Sequence, residues 1–153
     1  MNSQNKSGFT LLEIMIVVVI VGLLALIAIP GFNNARVSSQ NSKLANDLRV
    51  FAGQIEIYSL ESGDYPEDSS TGELPEGLDE YINVADWTNG PSIGGEFDVE
   101  KDDNGVISAV GVVDYTAKDA QLQRFEKSFD NLDFTTGTYQ KLSETRYYYV
   151  VAQ

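Results

Sequence analysis

From Ile14 to Ile29 every residue is apolar or glycine, and no charged residue stands between Glu13 and Arg36. Counted from Phe9, the run is 21 residues long and is broken only by Thr10 and Glu13. At about 1.5 Å per residue, a helix of that length nearly matches a hydrocarbon core of roughly 30 Å. The segment can therefore cross a membrane once, which fixes the start of the chain as helical before anything else is read. A cleaved secretory signal is the first rival, but between Gly22 and Val37 no two small residues stand at i and i+2 to form its cleavage site. Orientation is left open by charge alone: Lys6 precedes the span, whereas Arg36, Lys43 and Arg49 come after it.

The remainder of the chain is long enough for one domain. The 153 residues carry 10 Lys plus Arg against 23 Asp plus Glu, a net charge of -13, with no His and no Cys. Ser/His/Asp triads, Cys/His pairs, zinc sites, disulfides and thiol-linked lipids are excluded at once. Such acidity repels phosphate backbones, so nucleic acid is not an expected partner. The charge is concentrated: residues 64 to 133 hold 18 acids and 4 bases, net -14, and the remainder nets +1.

The run Lys6-Ser7-Gly8-Phe9-Thr10-Leu11-Leu12-Glu13, ahead of an apolar stretch holding Gly22 and Pro30, resembles the N-terminus of type IV prepilins and type II secretion pseudopilins. The resemblance is strong over roughly the first 35 residues. It implies a leader, Met1 to Gly8, that stays in the cytoplasm and is cut after Gly8 by a prepilin peptidase, which then methylates the new amine of Phe9. It also implies residues 9-32 as the membrane-spanning and filament-core half of one long helix, with residues 33-153 facing the periplasm. Glu13 supports this on physical grounds. A carboxylate in an apolar helix costs up to about 3 kcal/mol at the bilayer centre, and cleavage would create a cationic amine on Phe9 one turn away. The same amine on a neighbouring subunit could neutralise Glu13 when helices stack with an offset, which would set the assembly register. The alternative is a Glu that snorkels to the headgroups from an ordinary anchor.

Beyond Pro30, Val37, Leu44, Leu48, Phe51, Ile55 and Tyr58 form one helical stripe, and Asn33, Asn34, Ser38, Ser39, Gln40, Asn41 and Ser42 are assigned to the solvated side. Gly63 and Pro66 stop the helix, so it is expected over Phe9 to Ser62, about 80 Å at 1.5 Å per residue. Pro30, lacking an N–H, and Gly22 are places where it could bend during packing. The stretch Tyr58 to Pro66 also resembles the helix end of secretion pseudopilins.

In the acidic region a loop is expected over Asp64 to Gly77, a short helical or irregular segment over Leu78 to Trp87, and a second loop over Thr88 to Gly95. Glu96 to Glu100 and Val106 to Val113 read as strands joined at Asn104-Gly105. Thr116-Ala117-Lys118-Asp119 reads as a capping box that opens a helix with Leu122, Phe125 and Phe129 on one side. Arg146 to Ala152 has strand propensity. The fold class expected is α+β, a long transmembrane-to-amphipathic N-terminal helix packed on a small antiparallel sheet, as in pilins.

Two motifs are incomplete. Gly90 to Glu96 has the glycine spacing of a phosphate-binding loop, but Glu96 stands where Lys must be. An EF-hand read from Glu100 through Asp102, Asn104 and Gly105 ends on Gly111 instead of a bidentate Glu. No catalytic residue is assigned and no enzyme is expected. Calcium is the one ligand that the resemblance raises, because secretion pseudopilins commonly hold it before their last strand. Asp130 and Asp133, with Asn131 between them, are the candidates, although the balance favours an acidic turn without metal. The expected function is a structural filament subunit, most simply a secretion pseudopilin. Its expected partners are further copies, the prepilin peptidase and an inner-membrane assembly platform. The alternatives are a type IV pilus subunit for adhesion, twitching or DNA uptake, or a single-pass anchored binding module in the bacterial inner membrane.

Overall fold

The computed structural model describes residues 8–103, 105–129 and 137–153. The chain divides between Ser38 and Ser39 into two compact units. In the first, helix α1 (Leu11–Ser62) begins, and it continues through Gly22 and Pro30 without a break. Pro30 has no N–H to give to the Leu26 carbonyl, so one rung is missing there. Every large apolar side chain from Phe9 to Phe32 is at least half exposed, Phe9 at 85% and Ile27 at 80%.

The second unit is a sheet packed on the later turns of α1. Leu44, Leu48 and Ile55 are 0% exposed and Phe51 5%, so the stripe read from the sequence is the buried one. Val37 and Tyr58, at its two ends, are half-buried. Phe51 sits 5.0 Å edge-on from Phe97 and 5.3 Å from Trp87. The helix stops at Ser62 because Gly63 turns left-handed at φ 85° and gives its N–H to Ser59 O at 2.9 Å.

Asn41 corrects one expectation. It is 6% exposed, not solvated. Its amide donates to Gln121 O at 3.2 Å and its carbonyl accepts from Gln121 Nε2 at 3.0 Å. The pair joins α1 to α3 (Asp119–Phe129), and a buried polar side chain is tolerated because both of its ends are satisfied.

A 3-10 turn (Leu78–Glu80) and helix α2 (Val84–Thr88) lead to strand β1 (Glu96–Asp103), and Trp87 gives its indole N–H to Gly72 O at 3.1 Å. β1 pairs antiparallel with β2 (Val106–Val113), as the expected hairpin requires; Asn104 of its turn lies outside the described residues. After α3, β3 (Tyr139–Ser143) and β4 (Arg146–Ala152) complete an antiparallel sheet of order β1-β2-β4-β3. β3 is an addition to the strands expected from the sequence.

The expected capping box at Thr116 is also corrected. The helix opens at Asp119, while Thr116 gives its hydroxyl and its N–H to Ile93 O, at 3.0 and 3.2 Å. Thr116 ties the α2–β1 loop to the segment after β2 instead of capping a helix.

Candidate functional site

Among the described residues the apolar start of α1 is the one helix long and apolar enough to cross a membrane, by length and composition. At its first turn Thr10 precedes helical residue Leu11 and so occupies the N-cap position. Its N–H donates to Glu13 Oε2 at 2.8 Å and its hydroxyl to the same oxygen at 2.9 Å. Glu13 N–H lies 3.3 Å from Thr10 Oγ1. This is a reciprocal capping box, an N-cap Thr with an acid three residues on. Two donors that an α-helix start leaves without partners are thereby satisfied. The signal for it was the Thr-x-x-Glu spacing, which the sequence reading missed because it weighed the charge of Glu13 and not its reach.

Glu13 thus has a hydrogen-bonding partner within its own chain, beside which the expected pairing with a Phe9 amine would be a second contact. Its second oxygen, Oε1, is not part of this capping pair. Gly8 and Phe9 lie just ahead of the helix in non-helical conformation, and both are exposed. The capped helix begins two residues after Phe9. Gly22 has open space where a Cβ would stand; Pro30 lies a little over two turns further on. The calcium candidates Asp130 and Asp133 lie outside the described residues. Among the described residues no three acidic side chains come together as a metal site.

The head holds a second polar constellation. The cross-strand register sets Asp98 opposite Gly111, and Gly111 opposite Tyr148. An added Cβ on Gly111 would fall 2.4 Å from Tyr148 Cδ1, so the Tyr148 ring crosses β2 over this glycine. Its hydroxyl reaches Asp98 Oδ2 at 2.7 Å and Glu100 Oε1 at 2.9 Å. Arg146 pairs with the same Glu100 oxygen. Asp98 and Glu100 are each 2% exposed and Tyr148 is 0%. Burial pushes both carboxyls above their ordinary range, partly opposed by the Tyr148 hydroxyl. Burial likewise pushes the Tyr148 phenol up.

At the end of α1, Lys101 reaches Asp64 at 3.0 Å and Glu67 at 2.7 Å. The Lys101 ammonium lowers the Asp64 carboxyl below its usual value, and the two carboxylates raise Lys101.

The family described as the prokaryotic N-terminal methylation motif matches residues 3–29. The type II secretion system core protein G of Klebsiella pneumoniae is 38% identical over 63 residues, 41% of this chain and 45% of that protein. That of Aeromonas hydrophila is 31% identical over 83 residues, 54% of each. The fimbrial protein EcpC of Eikenella corrodens is 33% identical over 84 residues, 54% of this chain and 55% of that protein. The chain spans about half the length of the curated relatives it matches. No solved structure is matched significantly. Over its methylation motif and the long helix behind it, the chain is thus similar to type IV pilin-like proteins, the type II secretion pseudopilins among them.

Proposed function

We propose that the chain is a structural subunit of a pilin-like filament, of the kind polymerised in type II secretion. The observation that carries this reading is the contrast along α1. Its first turns expose a full circumference of apolar side chains, whereas Leu44 to Ile55 bury one stripe in the head. An apolar helix surface needs lipid or other helices around it. A subunit held in the membrane until assembly meets both partners in turn. In this reading the inner membrane stores the subunit with its head in the periplasm, a prepilin peptidase removes Met1 to Gly8, and an inner-membrane platform adds it to a filament of further copies. The role is mechanical, and no residue is assigned to catalysis.

Gly8 supplies the small residue before the cut and Phe9 the new methylated terminus. Co-expression with a prepilin peptidase, then intact mass measurement after detergent extraction, should give a chain that starts at methylated Phe9. A chain that keeps its full leader beside an active peptidase, or is cut after Ala28 or Gly31, would remove this reading. The similarity to a fimbrial protein favours one second reading, a subunit of a surface type IV pilus. Sheared surface fractions against periplasmic fractions separate the two.

A further inference from the structure

The Asp98, Glu100, Tyr148 and Arg146 set has no part in the assembly reading. A phenol carries one hydrogen, yet Tyr148 Oη lies within hydrogen-bond distance of two buried carboxyl oxygens. If both carboxyls were ionised, one of these contacts would lack a proton, and two buried negative charges would share the single guanidinium of Arg146. The geometry resolves this when one carboxyl is protonated. Glu100 has Arg146 as a direct ionic partner. Asp98 does not, and its Oδ1 has no hydrogen-bond partner.

We infer that the outer face of the sheet is a built proton-binding site, in which protonated Asp98 donates to Tyr148 Oη, Tyr148 donates to Glu100, and Glu100 stays ionised against Arg146. No atom changes partner except the proton, which is taken from and returned to water. The set is then neutral overall, which removes most of the cost of burying it. Among the described residues, Glu96 and Glu100 stand two residues to either side of Asp98 on β1, Tyr148 and Arg146 face it from β4, and Asp68 from the loop before β1. β2 contributes Gly111, and β3 places Gln140 opposite Tyr148. Asp68 adds negative potential, which also favours the proton.

The consequence is a stability that falls as the pH rises above the ordinary carboxyl range. A carboxyl whose acidity is weakened by folding stabilises the folded state fully below its unfolded pKa of about 3.9. That contribution is lost as pH rises towards and through the higher folded value. Deprotonation leaves two buried negative charges on the one guanidinium of Arg146, and the Tyr148 bridge across β2 is the contact it strains. The head would lose stability as the pH rises through the folded value and recover it on reacidification.

The test compares thermal unfolding of the full chain in non-ionic detergent with that of Asp98→Asn, from about pH 4 to about pH 9. Asn keeps a donor towards Tyr148 and cannot ionise. The two should melt together at the acid end, and the wild type should fall behind by about 5 °C at the alkaline end for each unit by which folding raises the carboxyl. A constant gap at every pH would overturn the proposal. So would a calcium-dependent rise in the wild type that Asp98→Asn abolishes, because a cation would then occupy the place assigned to the proton. Should Asp98→Asn fail to fold, the wild type decides through infrared spectroscopy. A protonated-carboxyl carbonyl band must persist at about pH 5, where ordinary carboxyls are mostly ionised, and Tyr148→Phe must shift it. A band that Tyr148→Phe leaves unchanged would overturn the inference.

Discussion

Glu13 has one duty in the structure and a second in the proposed filament. Its carboxylate caps the first turn through Thr10, and in the proposed filament its charge meets the Phe9 amine of a neighbour. Glu13→Gln keeps the capping geometry, since Gln serves the same position, but removes the charge. Glu13→Leu removes both. Each should insert into the membrane and be processed, because loss of a charge makes residence in lipid easier. Both should be strongly depleted from sheared filaments relative to wild type, and equal incorporation of Glu13→Gln would show that capping is its whole role. The site was half legible. Gly8, Phe9 and Glu13 stand out from the order of polar and apolar residues, while the Asp98 and Tyr148 constellation does not, because these two are 50 residues apart and meet only through the register. Its one local sign was Gly111 in a Val-rich strand, a place where something approaches closely.

Gly111 is where that sign becomes measurable. Gly111→Ala would put a methyl group 2.3 Å from Tyr147 O and 2.4 Å from the Tyr148 ring, and the first of these is backbone that cannot swing away. The ring must leave β2, so the sheet should lose about 3 kcal/mol, as for other overpacked cores, seen as a lower midpoint of chemical unfolding. At the end of α1, Gly63→Ala meets no steric neighbour. Its cost should be only the left-handed backbone term of about 1–2 kcal/mol. The order of these two effects separates a close approach from a turn. Elements with long periodic patterns were legible in the same way. The helix was expected over Phe9 to Ser62 and runs from Leu11 to Ser62, and the β1–β2 hairpin and β4 stand where alternation and Asn-Gly put them. β3 escaped because it is five residues long, mostly polar, and turns into β4 through Glu144-Thr145, neither of which needs a positive φ or announces a turn. Thr116 misled because the same hydroxyl that can cap a helix can also tie down a loop, and the carbonyl of Ile93, distant in sequence, took it.

At the scale of the molecule, the chain divides into a unit that exposes apolar side chains all round and a unit with an apolar core of its own. The apolar core assembled around Leu44, Leu48, Phe51, Ile55, Trp87, Phe97 and Tyr147 lies wholly within residues 39–153. The charges are divided in the same way, since residues 33–153 carry the entire net -13. Residues 33–153 expressed alone should therefore be soluble and monomeric, with like charge opposing contact between heads at low ionic strength. Trp87, the only tryptophan in the chain, is 1% exposed and packed on Phe51 and Phe97, so its fluorescence reports this core alone. One cooperative unfolding transition with a red shift of Trp87 emission, and a monomer mass by sedimentation at about 0.1 M salt, where the Debye length is about 10 Å, are the expected outcomes. An oligomer that persists without residues 1–32 would move the assembly contacts from the apolar helix to the head, and the proposed division of labour would fail.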